Sequence, residues 1–368
     1  MSGTAMHRVV GLEHSSVPDG VEVEAFAPGR VNLIGEHTDY SGGLALPMAI
    51  QLGTTVRVVR TGADVELAST DLPGVVRLAD VADGVADATS VAPSWGTYVA
   101  GVVVELAHRG EVHGAVGTVS SSLPVGAGLS SSAALELAVA LAIGFRGRAG
   151  DLARLGQRAE QAASGVPCGL LDQLASACGT AGHALLIDFS ADGDAEPVDD
   201  LVAIPDDLEV VVLHSGESRT LAGSAYADRR SECERAAEHL GPLRHADPDA
   251  VERLADAVLR KRARHVVNEN ARVLRMADAL RRADLVAAGE LLGSSHASLR
   301  DDFEVSTPTL DRLVAELDAT PGVFGARLTG AGFGGCVVAF TTPGTFAASP
   351  GVWPVTATDG ATVSLTSG

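Results

Sequence analysis

Residues 28–43 read Pro-Gly-Arg-Val-Asn-Leu-Ile-Gly-Glu-His-Thr-Asp-Tyr-Ser-Gly-Gly, which places an arginine, two carboxylates, a histidine and several glycines in one turn-rich stretch. The alternating segment just before it, 21–27, predicts a β-strand. Carboxylates accept hydrogen bonds from neighbouring sugar hydroxyls in fixed geometry, so such a site can reject a molecule lacking the hydroxyl by a factor on the order of 10⁴. An ordinary charged surface loop is the alternative for any single residue. For the whole run we favour a ligand site.

A second motif, residues 123–136, reads Leu-Pro-Val-Gly-Ala-Gly-Leu-Ser-Ser-Ser-Ala-Ala-Leu-Glu. Gly126 and Gly128 permit close approach of the backbone, and the serines are expected to cap the helix that begins at the alanines. The N-terminus of such a helix presents free N–H groups and partial positive charge, so it can bind phosphate without a lysine. A purely structural cap is the alternative.

A third motif, residues 328–336, reads Leu-Thr-Gly-Ala-Gly-Phe-Gly-Gly-Cys. Four glycines in six residues suit a tight turn whose backbone passes close to another segment or to a ligand. A purely structural β-turn explains this motif equally well when it is taken alone.

Between the second and third motifs lies Asp172, in the run Cys-Gly-Leu-Leu-Asp-Gln at 168–173, with Glu160 twelve residues earlier. The neighbouring leucines predict that Asp172 is partly buried, and a buried carboxylate needs a partner. Arg30 is the available cation among the motifs. As an isolated residue, an aspartate here is more often a helix cap or a surface acid.

The rest of the chain predicts an α+β protein of two domains, because strands and helices mix without strict βαβ alternation. Alternating or β-branched runs predict strands at 21–27, 54–60, 114–121, 208–213, 324–329 and 336–340. Apolar residues at helical spacing predict helices at 95–106, 131–145, 151–163 and over most of 219–318. We place the boundary in the acidic stretch 190–200, which gives domains at 1–200 and 201–368.

Composition excludes several functional classes. The net charge of −20 disfavours nucleic acid as a partner, and Lys261 is the single lysine among 27 basic residues. Neither a Walker-type lysine nor the β3 lysine of protein kinases is therefore available. The four cysteines are scattered without a Cys-x-x-Cys pair, and no apolar segment approaches a bilayer span. We expect a cytoplasmic protein that binds no membrane.

The three motifs, in this order and spacing, resemble those of the GHMP kinase family over nearly the whole chain, and the first resembles the galactokinase signature within it. The resemblance implies a two-domain fold with the active site between the N- and C-terminal domains. It also implies ATP and Mg²⁺ as cofactors and phosphorylation of galactose at its anomeric hydroxyl.

By the same resemblance, Asp172 corresponds to the catalytic base and Arg30 to the arginine that pairs with it. Whether proton removal precedes phosphoryl transfer stays open. The other implied roles cover the sugar, the nucleotide and the metal ion. The residues implied to bind the sugar hydroxyls are Glu36, His37, Asp39, Gly169 and Tyr226. Those implied to bind the phosphates are Gly126, Ala127, Gly128, Leu129, Ser130, Ser131 and Ser132. The resemblance also implies that Trp95 and Tyr98 contact the adenine and that Ser132 and Glu160 coordinate Mg²⁺.

Several alternatives stay open at this point. Trp95 and Tyr98 also fit the apolar stripe of a helix. The segment 214–219, His-Ser-Gly-Glu-Ser-Arg, departs from the galactokinase pattern, which leaves N-acetylgalactosamine or an acidic sugar as rival substrates. Mevalonate would not need Glu36, His37 and Asp39 together, and a non-catalytic sugar sensor would be free to lose Asp172. We expect a monomer or a weak homo-oligomer.

Overall fold

The structure of the protein is a computed structural model, and this structure describes residues 8–11, 19–83, 85, 87–124, 126–165, 168–190, 197–217 and 222–365.

The first half contains ten strands and four helices within the described residues. In chain order they are β1 (Val9–Val10), β2 (Glu22–Asn32), β3 (Leu44–Ala45), β4 (Pro47–Thr61), β5 (Val65–Ser69), β6 (Val75–Leu78), α1 (Gly96–Arg109), β7 (Gly114–Ser121), α2 (Ser131–Ile143), β8 (Gly147–Arg148), α3 (Ala149–Ser164), α4 (Leu171–Cys178), β9 (His183–Asp188) and β10 (Val198–Ala203).

The second half is mainly helical, as its sequence predicts. Its elements are β11 (Glu209–His214), α5 (Ala222–Leu240), α6 (Pro248–Glu252), α7 (Ala257–Arg281), α8 (Leu285–Asp301), α9 (Pro308–Asp318), β12 (Val323–Thr329), β13 (Cys336–Thr341), β14 (Val352–Val355) and β15 (Thr362–Leu365). The predicted α+β class is confirmed.

A six-stranded sheet in the order β15-β2-β4-β7-β5-β6 forms the base of the first half. Helix α2 packs on β2 and β4 and is enclosed by α1, α3 and α4. Every residue of α2 from Ala133 to Ile143 is buried, and apart from Glu136 all of them are apolar, so the helix is not amphipathic. Helix α4 packs directly on β2, which brings the start of α4 close to the first motif.

A four-stranded antiparallel sheet in the order β12-β13-β11-β14 organises the second half. Helices α8 and α9 pack on β12, and α7 packs between α5 and α8. The larger hydrophobic core crosses from the first half to Val273 of α7, Leu291 of α8 and Phe340 of β13. The two halves are therefore joined by buried apolar contacts.

The proposed boundary at 200/201 remains a prediction. Strand β10 runs across that position and pairs with β9, whereas β15 at the end of the chain pairs with β2 in the large sheet. Residues 191–196 of the acidic stretch lie outside the described residues. Among the helices that are described, none combines the length and apolar character needed to cross a membrane.

Candidate active site

A cavity of about 200 Å³ lies between the two halves and is lined by residues of all the sequence motifs except the phosphate loop itself. The first half contributes most of its wall, and α5 and the glycine-rich turn after β12 close it. The lining residues are Arg30, Glu36, His37, Asp39, Glu160, Cys168, Gly169, Leu171, Asp172, Gln173, Tyr226, Gly330 and Ala331. The structure therefore brings together all seven residues that the sequence analysis assigned to the catalytic and sugar roles.

Asp172 lies in the first turn of α4 and forms the expected ion pair with Arg30 of β2. Arg30 Nε and Nη2 lie 2.8 Å and 2.7 Å from Asp172 Oδ1. Arg30 is almost fully buried, whereas about one third of the Asp172 side chain is accessible. Arg30 Nη1 also donates to the Gly128 carbonyl at 2.7 Å. One guanidinium therefore connects the carboxylate to the glycine loop of the second motif.

The serines of the second motif do not cap the helix, which corrects the expectation from sequence. Ser130 has a φ of 61° and makes no capping hydrogen bond, because this left-handed backbone turns its side chain away from the free N–H groups. Its hydroxyl donates to Asp172 Oδ2 at 2.6 Å, and the Ser132 hydroxyl donates to Glu160 Oε1 at 2.9 Å. Charged carboxylates are the stronger acceptors for these hydroxyls. The first N–H groups of α2 consequently have no side-chain cap and can receive an anion.

A second cavity of about 330 Å³ follows the glycine loop and shares Arg30 and Asp172 with the first. Gly126 and Gly128 both have positive φ, 74° and 76°, so the loop conformation requires glycine there. Ala127 and Leu129 are buried and point into the core, so they can contribute to a ligand site only through their backbone. The remaining lining residues are Ser130, Ser131 and Ser132.

A third cavity of about 270 Å³ is lined mainly by apolar atoms and includes Trp95, Tyr98 and Leu135. It shares Ser131 and Ser132 with the glycine-loop cavity, which in turn shares Arg30 and Asp172 with the first cavity, so the three cavities are neighbours. In that order they present apolar atoms, the start of α2 and a cluster of carboxylates.

Glu36 is held by the second half of the chain. Its Oε1 accepts hydrogen bonds from Arg327 Nη2 at 3.1 Å, Thr329 Oγ1 at 3.1 Å and the Gly330 N–H at 2.7 Å. No protein partner for Oε2 occurs among the residues that the structure describes. Since Glu36 lines the first cavity, Oε2 is the oxygen available to a ligand.

Asp39 and Gly169 form one wall of the same cavity and lie in very close contact. A Cβ added to Gly169 would lie 1.5 Å from Asp39 Oδ2, so no other residue fits there without displacing the carboxylate. Asp39 retains some accessible surface because it faces a cavity, but protein surrounds it closely. That burial, with smaller contributions from the charges of Asp172 and Glu36, raises the pKa of Asp39 to about 6.

His37 lies in an aromatic cluster, and both of its ring nitrogens have protein partners. Nδ1 is 2.9 Å from the Tyr40 hydroxyl and Nε2 is 3.2 Å from the Ala331 carbonyl, so Nε2 carries the proton and Nδ1 accepts from the tyrosine. The ring centroid lies 5.6 Å from that of Tyr226 and 4.7 Å from that of Phe303. His37 therefore contributes a wall of the cavity and holds its neighbours in place.

Glu160 is the centre of a group of acids beneath the glycine loop. Its second oxygen accepts from Gln173 Nε2 at 2.6 Å, and Gln173 also contacts Glu136 Oε2 at 3.3 Å. Burial raises the pKa of Glu160, and the charge of Asp172 raises it further. In the described part of the chain, no cluster of three or more histidine, cysteine, aspartate or glutamate side chains is arranged to hold a metal ion.

Sequence reasoning missed Arg327, Tyr40, Phe303 and Gln173. Arg327 gave one local signal, since a lone arginine in an otherwise apolar strand, Phe-Gly-Ala-Arg-Leu at 324–328, needs a buried partner. Tyr40 and Gln173 lie within the quoted stretches 28–43 and 168–173, but no role was assigned to them. Phe303 has no local signal, because it reaches His37 only through a contact distant in sequence.

The segment that departs from the galactokinase pattern packs on the glycine-rich turn. Ser215 donates its N–H to the Gly335 carbonyl at 2.9 Å, and Gly335 donates back to the Glu217 carbonyl at 2.9 Å. Glu217 Oε2 accepts from the Thr307 hydroxyl at 2.6 Å. None of 214–217 lines the first cavity, and Ser218 and Arg219 lie outside the described residues.

Three family models match the chain. The galactokinase galactose-binding signature matches residues 14–60, the N-terminal domain of GHMP kinases matches 97–180 and the C-terminal domain matches 276–348. The first match contains the motif around Glu36, and the second contains the glycine loop and Asp172.

The chain is also similar to solved structures of GHMP kinases. Galactokinase from Lactococcus lactis, solved in complex with galactose, is 31% identical, with 93% of this chain and 95% of that chain covered and a TM-score of 0.82. Mevalonate kinase from Methanococcus jannaschii (20% identity, 89% and 92% covered, TM-score 0.62) and homoserine kinase from Cytophaga hutchinsonii (17%, 96% and 100%, 0.55) share the fold.

Proposed function

The chain belongs to the galactokinase branch of the GHMP kinase family, and from that premise we propose that it transfers the γ-phosphoryl group of ATP to the anomeric hydroxyl of D-galactose. The observation that carries the proposal is the position of Asp172 and Arg30, which line both the carboxylate-rich cavity and the glycine-loop cavity. A hydroxyl in the first cavity and a phosphate in the second would meet at this pair.

In this proposal Asp172 accepts the proton of the attacking hydroxyl while the hydroxyl oxygen bonds to the γ-phosphorus and ADP leaves. Oδ1 accepts from two N–H groups of Arg30, whereas Oδ2 has the Ser130 hydroxyl as its one partner among the described residues, so Oδ2 is the better placed to take the proton. Arg30 lies beside the glycine loop and stabilises negative charge on the transferred group. Positioning and charge stabilisation provide most of the catalysis in such transfers.

The sugar hydroxyls would be held by two carboxylates that line the first cavity, those of Glu36 and Asp39. Glu36 offers Oε2, because its other oxygen is committed to the protein. Asp39 also offers its carboxylate, which fits in its position because Gly169 beside it has no side chain. Tyr226 and the ring of His37, with centroids 5.6 Å apart, would form another part of the cavity wall.

The apolar cavity of Trp95 and Tyr98 suits the adenine, and the uncapped N–H groups of α2 suit the phosphates. Ser132 and Glu160 fit a magnesium site, because they are adjacent oxygen ligands and Glu160 lies among other acids that a divalent cation would compensate. Bound Mg²⁺ would neutralise charge on the phosphates. We therefore propose that Ser132 and Glu160 hold it.

The cellular setting is part of the same proposal. An enzyme that uses ATP is expected in the cytoplasm, and no disulfide joins any of the four cysteines in the described part of the chain, which fits a reducing compartment. A monomer or a weak homo-oligomer remains our prediction for the assembly.

Glu160→Gln is expected to raise both the Mg²⁺ concentration for half-maximal activity and the Kd of Mg·ATP by at least about tenfold. Replacing a residue that only hydrogen-bonds to a metal ligand already lowers metal affinity or activity by that factor. Isothermal titration with and without Mg²⁺ measures the Kd. Glu105→Gln on α1 is the matched control, because Glu105 pairs with Arg158 and lines none of the three cavities. Wild-type affinity and activity in Glu160→Gln would show that the metal assignment is wrong.

The identity of the acceptor sugar is tested by measuring the rate of ADP release with galactose, glucose, galactosamine and N-acetylgalactosamine. We expect kcat/KM for galactose to exceed that for glucose by at least about tenfold. The two sugars differ only at C4, and one buried polar group left unpaired costs about 1–3 kcal/mol. Equal rates with glucose, or a preference for an amino sugar, would overturn galactose as the substrate.

A further inference from the structure

Arg327 of β12 joins the second half of the chain to the backbone of the first motif, residues 28–43. Its side chain is fully buried, and it donates from Nε to the Leu33 carbonyl at 2.7 Å. Nη2 donates to the Asn32 carbonyl at 2.7 Å and reaches Glu36 Oε1 at 3.1 Å. One guanidinium therefore fixes both the end of β2 and the carboxylate that follows it.

Arg327 is not one of the residues that line the first cavity, so it can act on a ligand only indirectly. Glu36 is the side chain that both lines this cavity and bonds to Arg327. Thr329 and Gly330, from the same strand and turn, donate to the same oxygen of Glu36. Three donors from one side hold the carboxylate in one orientation and leave Oε2 toward the cavity. The rotamer of Glu36 is thus set by the second half of the chain.

We propose that Arg327 is a positioning residue for sugar recognition: by orienting Glu36 it sets the affinity for the acceptor sugar. This inference rests on the proposed sugar site. A lysine could not replace it fully, because a single ammonium cannot reach three acceptors in the planar geometry that a guanidinium provides.

A purely structural role for Arg327 leads to different results. If it only stabilised the fold, its replacement would lower the free energy of unfolding without changing the KM for galactose. A positioning role through Glu36 requires that the two residues be coupled, so that loss of the Glu36 charge removes the effect of changing Arg327.

The experiment is a double-mutant cycle of Arg327→Lys and Glu36→Gln, with KM and kcat measured for both substrates and unfolding followed by urea. We expect Arg327→Lys to raise the galactose KM about tenfold, roughly the contribution of one hydrogen bond to a charged group. The kcat and the KM for ATP should change less than about twofold. In the Glu36→Gln background the effect on the galactose KM should fall below about twofold.

Two further variants keep the test decisive. Arg244→Lys is the control, because Arg244 is a largely buried arginine that pairs with Asp188 and lines none of the three cavities; it should leave the galactose KM unchanged. If Arg327→Lys fails to fold, Thr329→Val removes one donor to Glu36 at nearly constant volume. It should raise that KM by only about threefold, since the single hydroxyl proton is shared between the Asn32 carbonyl and Glu36 Oε1, each 3.1 Å away.

An unchanged galactose KM, or additive effects in the cycle, would overturn the positioning role; with Thr329→Val alone, an unchanged KM would do so. These outcomes differ from a failure of the proposed function, because that failure would show as a wild-type enzyme without galactose turnover.

Discussion

Asp172→Asn is expected to lower kcat with galactose by about 10²–10⁴-fold, the usual contribution of a general base. The amide keeps the volume of the carboxylate, and its oxygen can still accept from Arg30 at the position of Oδ1. The nitrogen would face the Ser130 hydroxyl, which can accept as well as donate. Fold and galactose affinity should therefore be retained, and only proton transfer should be lost.

The measurement combines the steady-state rate of ADP release with calorimetric binding of galactose. Asp188→Asn is the matched control, because Asp188 is a similarly accessible aspartate that pairs with Arg244 and lines none of the three described cavities. A variant at position 172 that retains turnover within about tenfold of the wild type would remove Asp172 from the base role.

The elements that the sequence predicts best have a local pattern that matches their burial. Strand β7 occupies 114–121 as predicted, because its residues alternate between the core and the outer face over most of their length. Strand β4 begins at Pro47, well before the predicted start at 54, because residues 47–50 are all buried and show no alternation. Helix α2 ends at Ile143, before the predicted end, because Gly144 adopts a φ of 147°.

The sequence predicted which residues lie in the candidate site, but not which hydrogen bonds and ion pairs join them to the rest of the chain. Motif residues come from β2, the start of α2 and the start of α4, and packing of both helices on β2 makes them neighbours. The roles of the serine hydroxyls depended on the left-handed backbone at Ser130, which no local pattern signals. The contact between Arg327 and Glu36 joins residues 291 positions apart, so only the folded chain reveals it.

The first motif and the residue that follows it also depend on helices α7 and α8 for polar contacts. Gly35 donates its N–H to Glu269 Oε1 at 3.1 Å, and the Leu44 N–H donates to Asn270 Oδ1 at 2.8 Å, both side chains of α7. Ser295 of α8 donates to the same glutamate oxygen at 2.6 Å. Helices of the second half therefore support the backbone of the first motif.

Gly169→Ala is expected to lower kcat/KM for galactose by about 10²-fold, the size of effect that a displacement near 1 Å can have on a reacting pair. The backbone of Gly169 lies outside the left-handed region, so alanine can adopt it without strain. The added Cβ would lie 1.5 Å from Asp39 Oδ2, which forces the Asp39 carboxylate away from its place in the cavity wall. The loss should appear mainly in the KM for galactose.

The affinity for ATP should be unchanged, because Gly169 and Asp39 line neither the glycine-loop cavity nor the apolar cavity of Trp95. Gly62→Ala, in the turn between β4 and β5, is the matched control, since an added Cβ there meets no atom within 4 Å. Steady-state kinetics in both substrates and a urea titration separate loss of sugar binding from loss of fold. If Gly169→Ala kept the wild-type galactose KM, the carboxylate of Asp39 would not be a ligand of the sugar.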